Sequence, residues 1–194
     1  DMSKSIYEYQ QLLEEKVEQR TKELNIKNEE LFKLSITDKL TGLYNRVKLD
    51  SVLKENMSLS LRYGNIFSII IIDIDFFKKI NDNFGHQVGD DVLKECSYIL
   101  SQNIRNVDTL GRWGGEEFLV VCPETLKDGA KDLAIKLNKA IKLHKFSTYP
   151  HSVTISVGVA SCSVNDLNYD DIISNADKAL YEAKNNGRDR VEIF

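Results

Sequence analysis

The chain has 194 residues, a formal net charge of −4, and 29% charged and 42% hydrophobic residues. That is apolar material for one good core with an appendage, and the mildly acidic balance excludes broad electrostatic capture of a nucleic-acid polymer. No apolar run is long enough to span a bilayer and no signal peptide is evident; Cys96, Cys122 and Cys162 have neither zinc-site nor redox-pair spacing and read as buried free thiols of a reducing, cytoplasmic compartment.

Residues from Ser3 to Ser35 contain no Gly or Pro and are rich in Glu, Lys, Gln and Leu, which predicts one long helix. Ile6, Leu13, Arg20, Lys27 and Leu34 recur every seven residues, with Gln10, Val17, Leu24 and Leu31 between them. This is an a/d heptad seam with polar interruptions, and it predicts a dimeric coiled coil whose Arg20 and Lys27 weaken the pairing and fix its register. A lone solvated helix is the plainer alternative. The Thr37–Gly42 cluster marks a boundary, so residues 1–35 are expected to form a signalling helix and 36–194 one domain.

Arg46 to Leu61 reads as an amphipathic helix. Phe67 to Asp75 is a β-branched run suited to a strand buried on both faces, with Asp73 and Asp75 at its carboxyl end pointing the same way. Gly85 and Gly89 open onto a helix expected from about Asp90 to Ile104. Asp108–Trp113 and Phe118–Cys122 are the arms of a hairpin closed around Gly114, Gly115, Glu116 and Glu117. A helix from Lys127 to Leu143, a strand from Val153 to Ala160, a helix from Tyr169 to Asn185 and a short strand from Val191 to Phe194 complete the chain. Strands and helices interleave without a strict βαβ rhythm, which predicts an α+β fold with a central sheet flanked by helices.

If the strands bearing Asp73/Asp75 and Glu116/Glu117 are neighbours, up to four carboxylates converge. Such a cluster repels itself unless a cation answers it. It suits hard divalent ions, and two of them would support in-line phosphoryl transfer. An exposed hairpin with solvated acids is the alternative. No Walker A sequence is present.

Six separated motifs occur in order: Asp38-Lys39-Leu40-Thr41-Gly42-Leu43-Tyr44-Asn45-Arg46, Asp73-Ile74-Asp75-Phe76-Phe77-Lys78, Asn81-Asp82, Gly85-His86-Gln87-Val88-Gly89-Asp90, Gly114-Gly115-Glu116-Glu117-Phe118 and Tyr181-Glu182-Ala183-Lys184-Asn185-Asn186-Gly187-Arg188. Together they make Ser35–Phe194 resemble the GGDEF domains, the diguanylate cyclases, in a GGEEF variant. The resemblance implies a mainly antiparallel sheet like the palm of nucleotide cyclases and polymerases. It also implies condensation of two GTP into cyclic di-GMP with release of two pyrophosphates.

By the same resemblance, Asp73 and Glu116 ligate two Mg²⁺ (or Mn²⁺) through carboxylates and Ile74 through its carbonyl. Glu117 assists as a ligand or as a proton acceptor, and Asp75 supports. Asn81 and Asp90 read guanine, which disfavours ATP; on their own they would be a capping Asn and a helix-start Asp. Lys78, Lys184 and Arg188 contact the triphosphate, Gly114 and Gly115 leave room for nucleotide, and Phe76 and Phe77 flank the substrate while packing in or beside the core. Arg105 and Asp108, with Arg112, match an RxxD inhibitory site for product, for which Lys131 and Lys136 are further candidates; an ordinary surface ion pair is the alternative. His86 is structural, and His144 and His151 have no catalytic role. One domain holds one GTP, so the implied partner is a second copy joined through the coiled coil, downstream of a sensor domain. A degenerate module that binds cyclic di-GMP as a receptor or relay is the competing reading.

Overall fold

The computed structural model describes residues 2–163, 166 and 168–194, without the side chains of 2–10, 28–30 and 33. The seam positions Ile6 and Gln10 therefore lie outside the described side chains. The chain divides into two units, Asp1–Ile36 and Thr37–Phe194. The first is a single helix, α1 (Met2–Ile36).

The second unit runs α2 (Arg46–Tyr63), β1 (Phe67–Ile74), α3 (Phe77–Phe84), α4 (His86–Asn103), β2 (Thr109–Gly114), β3 (Glu117–Pro123), α5 (Lys127–Leu143), β4 (Ile155–Ser161), α6 (Tyr169–Asn185) and β5 (Val191–Ile193). The sheet order is β2-β3-β1-β4-β5. β1 lies antiparallel to β3 and β4, β2 antiparallel to β3, and only β4–β5 is parallel. This is the expected α+β fold with its mainly antiparallel sheet.

β1 is central because both of its faces are apolar. Ile70, Ile72 and Ile74 face a core with Phe118, Val120, Val157 and side chains of α3, α4 and α5. Phe67, Ile69 and Ile71 face a second core with Leu119, Val121, Leu49, Leu53 and side chains of α6. A strand covered on both sides has no use for a polar alternation, which is why its sequence is a continuous run. Two helix starts are set by side-chain caps: Asn45 accepts the Lys48 amide of α2, and Asn168 and Asp171 form a reciprocal capping box at α6.

The segment that leads away from Asp75 is itself helical, α3, and α4 begins at His86, ahead of the expected start near Asp90. Gly89 therefore lies buried inside α4 and does not precede it. Cys96 and Cys122 are buried, and burial pushes both thiols well above their ordinary range, but Cys162 is half-exposed. Among the described residues no helix is long and apolar enough to cross a membrane.

Candidate active site

The site forms where β1 ends against the β2–β3 hairpin. The register sets Asp73 directly opposite Glu117, and Ile74 donates its amide to the Glu116 carbonyl at 3.4 Å. Gly114 closes β2, so the two-residue turn is Gly115–Glu116. Gly115 has φ +45°, and a Cβ on either glycine would meet nothing within 4 Å. The turn needs glycine for its backbone angle, and the space beside it is open to a ligand. The register shifts between Arg112 and Gly114, a bulge at Trp113 that re-aims the hairpin tip.

The acids are under electrostatic stress. Asp73 is 6% exposed; burial pushes its carboxyl above the usual range, Lys184 opposes this, and the charges of Glu116 and Asp75 add to it. Burial also raises Glu117, with Asp73 pushing in the same direction. Lys184, on α6, sets its ammonium 2.8 Å from Asp73 Oδ2. Asp177, also on α6, is raised chiefly by burial, while Lys184 and Arg46 act against that rise.

The four carboxylates are near enough for Asp73 to feel the charges of Glu116 and Asp75, but they do not gather into one set of metal ligands. Among the described residues no group of three or more His, Cys, Asp or Glu side chains could hold a metal ion. Asp75 is the reason on one side: it turns to Thr154, Ser156 and the Asp189 amide. Its two oxygens are taken up by these three donors. The remaining donor set, the Asp73 and Glu116 carboxylates with the Ile74 carbonyl, consists of hard oxygens. It fits Mg²⁺ or Mn²⁺, because the Asp73 carboxylate is buried and already requires a cation, here an ammonium.

Asn81 and Asp90 lie on α3 and α4, the two helices that meet at Gly85. Neither caps a helix, which removes the ordinary reading of both: Asn81 lies inside α3, and α4 is entered at Gly85 with no side-chain cap. A Cβ on Gly89 would stand 1.9 Å from Asn81 Oδ1, so the amide lies directly over residue 89, the neighbour of Asp90 in the chain. Lys78 is exposed in the first turn of α3.

The two phenylalanines part company. Phe77 is core, but Phe76 is 51% exposed with φ +57°, a left-handed angle unusual for a bulky residue. Its ring takes the Arg188 guanidinium and the Lys79 ammonium, each 4.6 Å from the centroid. Phe76 therefore does not pack into the core; it gathers cations at the mouth of the site.

Of the residues assigned to the product site, Arg105 lines a shallow groove with Asn103, Asp132 and Lys136. Lys136 donates to the Asn103 carbonyl at 2.9 Å, and Lys131 is not part of the groove's lining. Asp108 is turned inward: Oδ2 accepts the Arg105 amide at 2.9 Å, and Oδ1 is buried with no partner. Arg112 does not belong to this groove. Its Nε donates to the Gly115 carbonyl at 2.8 Å and its Nη1 reaches Asp38 at 3.2 Å, bracing the hairpin.

Sequence reasoning missed that brace. Burial alone would raise the Asp38 carboxyl, but the Thr41 hydroxyl and amide, with Arg112, hold it below its ordinary range. Arg46 also lies over the Trp113 ring at 4.3 Å. Both Asp38 and Arg46 stand in a recognised motif, yet nothing local to it indicates a partner on a distant hairpin. His86 is exposed at the start of α4; His144 bonds Glu95 at 2.7 Å, and His151 packs edge-on against Phe84 and Tyr149.

Comparison with known proteins follows the same lines. Residues 35–190 match the family described as "Diguanylate cyclase, GGDEF domain". The chain is 39% identical over 163 residues to Response regulator PleD of Caulobacter vibrioides, covering 81% of this chain and 36% of that protein. It is 39% identical over 173 residues to Diguanylate cyclase A of Treponema denticola, covering 87% of this chain and 47% of that protein. The chain thus spans less than half the length of either relative. A solved structure of the coiled coil and GGDEF domain of DgcB from Caulobacter crescentus, in complex with c-di-GMP, aligns with a TM-score of 0.85 at 26% identity, over 90% of this chain and 94% of that one.

Proposed function

The chain belongs to the GGDEF diguanylate cyclase family, and on that premise we propose that it condenses two GTP into cyclic di-GMP with release of two pyrophosphates. The observation that carries this reading is the Asp73 carboxylate, buried opposite Glu117 and answered by an ammonium at 2.8 Å, beside an open glycine turn. A buried anion held this way is a cation site beside room for a nucleotide.

In the proposed mechanism Asp73, Glu116 and the Ile74 carbonyl would hold divalent ions. When bound, these would supply Lewis acidity at the α-phosphate and favour ionisation of the attacking hydroxyl. Asp90 accepts from the guanine ring N–H and exocyclic amine, and Asn81 addresses the remaining edge. Lys78, Lys184 and Arg188 bind the triphosphate, with Lys184 exchanging Asp73 for phosphate oxygens. Glu117, whose raised titration makes it a competent proton acceptor, takes the 3′-hydroxyl proton or adds a ligand. Each 3′-oxygen then bonds the other nucleotide's α-phosphorus and pyrophosphate leaves. Two such bonds close the ring, so two domains must face each other, paired through the helix of residues 1–35.

Product feedback would act at the Arg105 groove, where Arg105 and Lys136 offer two cations to a phosphodiester. Asp108 supports that reading as the residue that fixes the Arg105 backbone. The reaction would run in the cytoplasm, which suits the unpaired thiols.

The test is incubation of purified protein with GTP and Mg²⁺, with assay of cyclic di-GMP and pyrophosphate. The expected product ratio is one to two, and Glu116→Ala should lower the rate by about a hundredfold or more. In the same assay Arg105→Ala should raise the product concentration needed for half-inhibition. Binding of cyclic di-GMP without any turnover of GTP would replace the cyclase with a receptor.

A further inference from the structure

Three successive residues after α6 have positive φ: Gly187 at +111°, Arg188 at +63° and Asp189 at +47°. A glycine tolerates this, but two side-chain-bearing residues in the left-handed region persist only where surrounding contacts fix them. The anchor is Asp75. It is 5% exposed, and every hydrogen bond it makes ties β1 to something further along the chain. Its Oδ2 accepts the Asp189 amide at 3.0 Å and the Thr154 hydroxyl at 2.7 Å; its Oδ1 accepts the Ser156 hydroxyl at 2.6 Å. Its own amide donates to the Thr154 carbonyl at 2.9 Å. The Asp189 side chain is held in turn by Lys142 and Asn138 of α5, at 2.5 and 3.4 Å.

We propose that Asp75 is a positioning residue, a buried clasp on the Asp189 amide that locks the left-handed turn 187–189 and thereby sets Arg188 over Phe76 at the phosphate end of the site. The proposal rests on the reading of Arg188 as a triphosphate contact. Phe76 follows Asp75 directly and is itself left-handed, so one carboxylate governs both sides of the 4.6 Å Arg188–Phe76 stack. The site needs such a device because Arg188 lies beyond the end of α6, where no helical hydrogen-bond ladder continues to fix its direction. Its amide still closes back on the Ala183 carbonyl at 2.9 Å, which fixes where the turn begins. Asp75 fixes where it ends. Three donors converge on this group, so the position requires an acceptor, and a carboxylate supplies two oxygens for them.

The experiment measures binding of 3′-deoxy-GTP, which lacks the nucleophile and so reports affinity without turnover. Asp75→Ala should weaken binding about tenfold, whereas Asp75→Asn, which can keep an oxygen toward the Asp189 amide while its amide group donates to a hydroxyl, should stay within about threefold of wild type. Arg188→Ala should weaken binding by a similar factor, and adding Asp75→Ala to it should cost little more, because the clasp acts through Arg188. Should Asp75→Ala fail to fold, Thr154→Val removes one donor of the clasp and should weaken binding about threefold, again only while Arg188 is present. Multiplicative losses, or an Asn variant as damaged as the Ala variant, would overturn the clasp and make Asp75 a direct ligand. Wild-type protein that binds with Asp75→Ala unaffected overturns the clasp alone; wild-type protein that binds no 3′-deoxy-GTP overturns the nucleotide reading and the clasp with it.

Discussion

Three carboxylates, Asp73, Glu116 and Glu117, share the end of one strand pair, and burial, with the charges of neighbouring acids, pushes the Asp73 and Glu117 carboxyls upward. A folded-state pKa above the unfolded value means that the native protein binds the extra proton more readily. The stability this contributes is fully present below the ordinary values of 3.8 and 4.5 and is lost as pH rises through the folded values. Near neutral pH the metal-free protein therefore carries the cost of buried charge, and with it some repulsion, that it would lose on neutralisation. Glu117→Gln should raise the thermal midpoint of metal-free protein by a few degrees near pH 7, and the difference from wild type should fade toward about pH 4, where the native acid is protonated anyway. Mg²⁺ should stabilise wild type more than this variant, and wild type more at neutral than at acid pH. Thermal melts with and without Mg²⁺ across that range check the point. A variant less stable than wild type at neutral pH, with metal absent, would show that Glu117 is held by attraction, not strained by its neighbours.

Among the helices, α3 and α4 carry the two residues proposed to read the base, and Gly89 is the position on which they close. Glycine inside a helix costs about 1 kcal/mol relative to alanine. Here the cost is offset by contact, since a Cβ would fall 1.9 Å from Asn81 Oδ1 and 3.3 Å from Phe77 Cζ. Gly89→Ala should keep α4 folded and displace the Asn81 amide, raising KM for GTP about tenfold and narrowing the preference for GTP over ATP. Competition between the two nucleotides measures this, and unchanged selectivity would detach Asn81 from base reading. The same junction shows what the sequence made legible. The isoleucine run of β1, the hairpin around Glu116 and α6 are each announced by residues close together in the chain, and each occurs where the pattern requires. The eight-residue α3 is not announced in this way, because a left-handed Phe76 and Gly85 punctuate both its ends. Longer-range facts left no local trace. Lys184 on Asp73, Arg112 on Asp38 and Asp189 on Asp75 each join segments brought together by the sheet order. A pattern read along the chain gives the types of residue in the site but not which cation answers which anion.

At the scale of the molecule, the unit Thr37–Phe194 and α1 carry different obligations. The unit Thr37–Phe194 contains both hydrophobic cores and is closed by its own sheet. On α1 the described apolar seam positions are open: Leu13 is 51% exposed, Val17 58%, Leu24 60%, Leu31 63% and Leu34 59%. The ion pairs among its described residues, Arg20–Glu23 and Lys22–Glu18, lie within one helix and are exposed, so they contribute little stability. A helix of this length with an unburied stripe gains most by pairing with a copy of itself. That pairing also answers the stoichiometry of the proposed reaction, since each domain supplies one GTP. Tethering turns the encounter of two domains into an intramolecular step at an effective concentration of roughly millimolar for a short linker. Removing residues 1–36 should therefore leave a folded domain that still binds GTP, but whose turnover per domain rises in proportion to protein concentration at micromolar levels. The full chain should show turnover per domain independent of concentration over the same range. A dilution series of both proteins, read as cyclic di-GMP formed per domain, separates the two behaviours. If the shortened and full chains respond alike, the domains find each other through their own surfaces, and the seam of α1 serves some other contact.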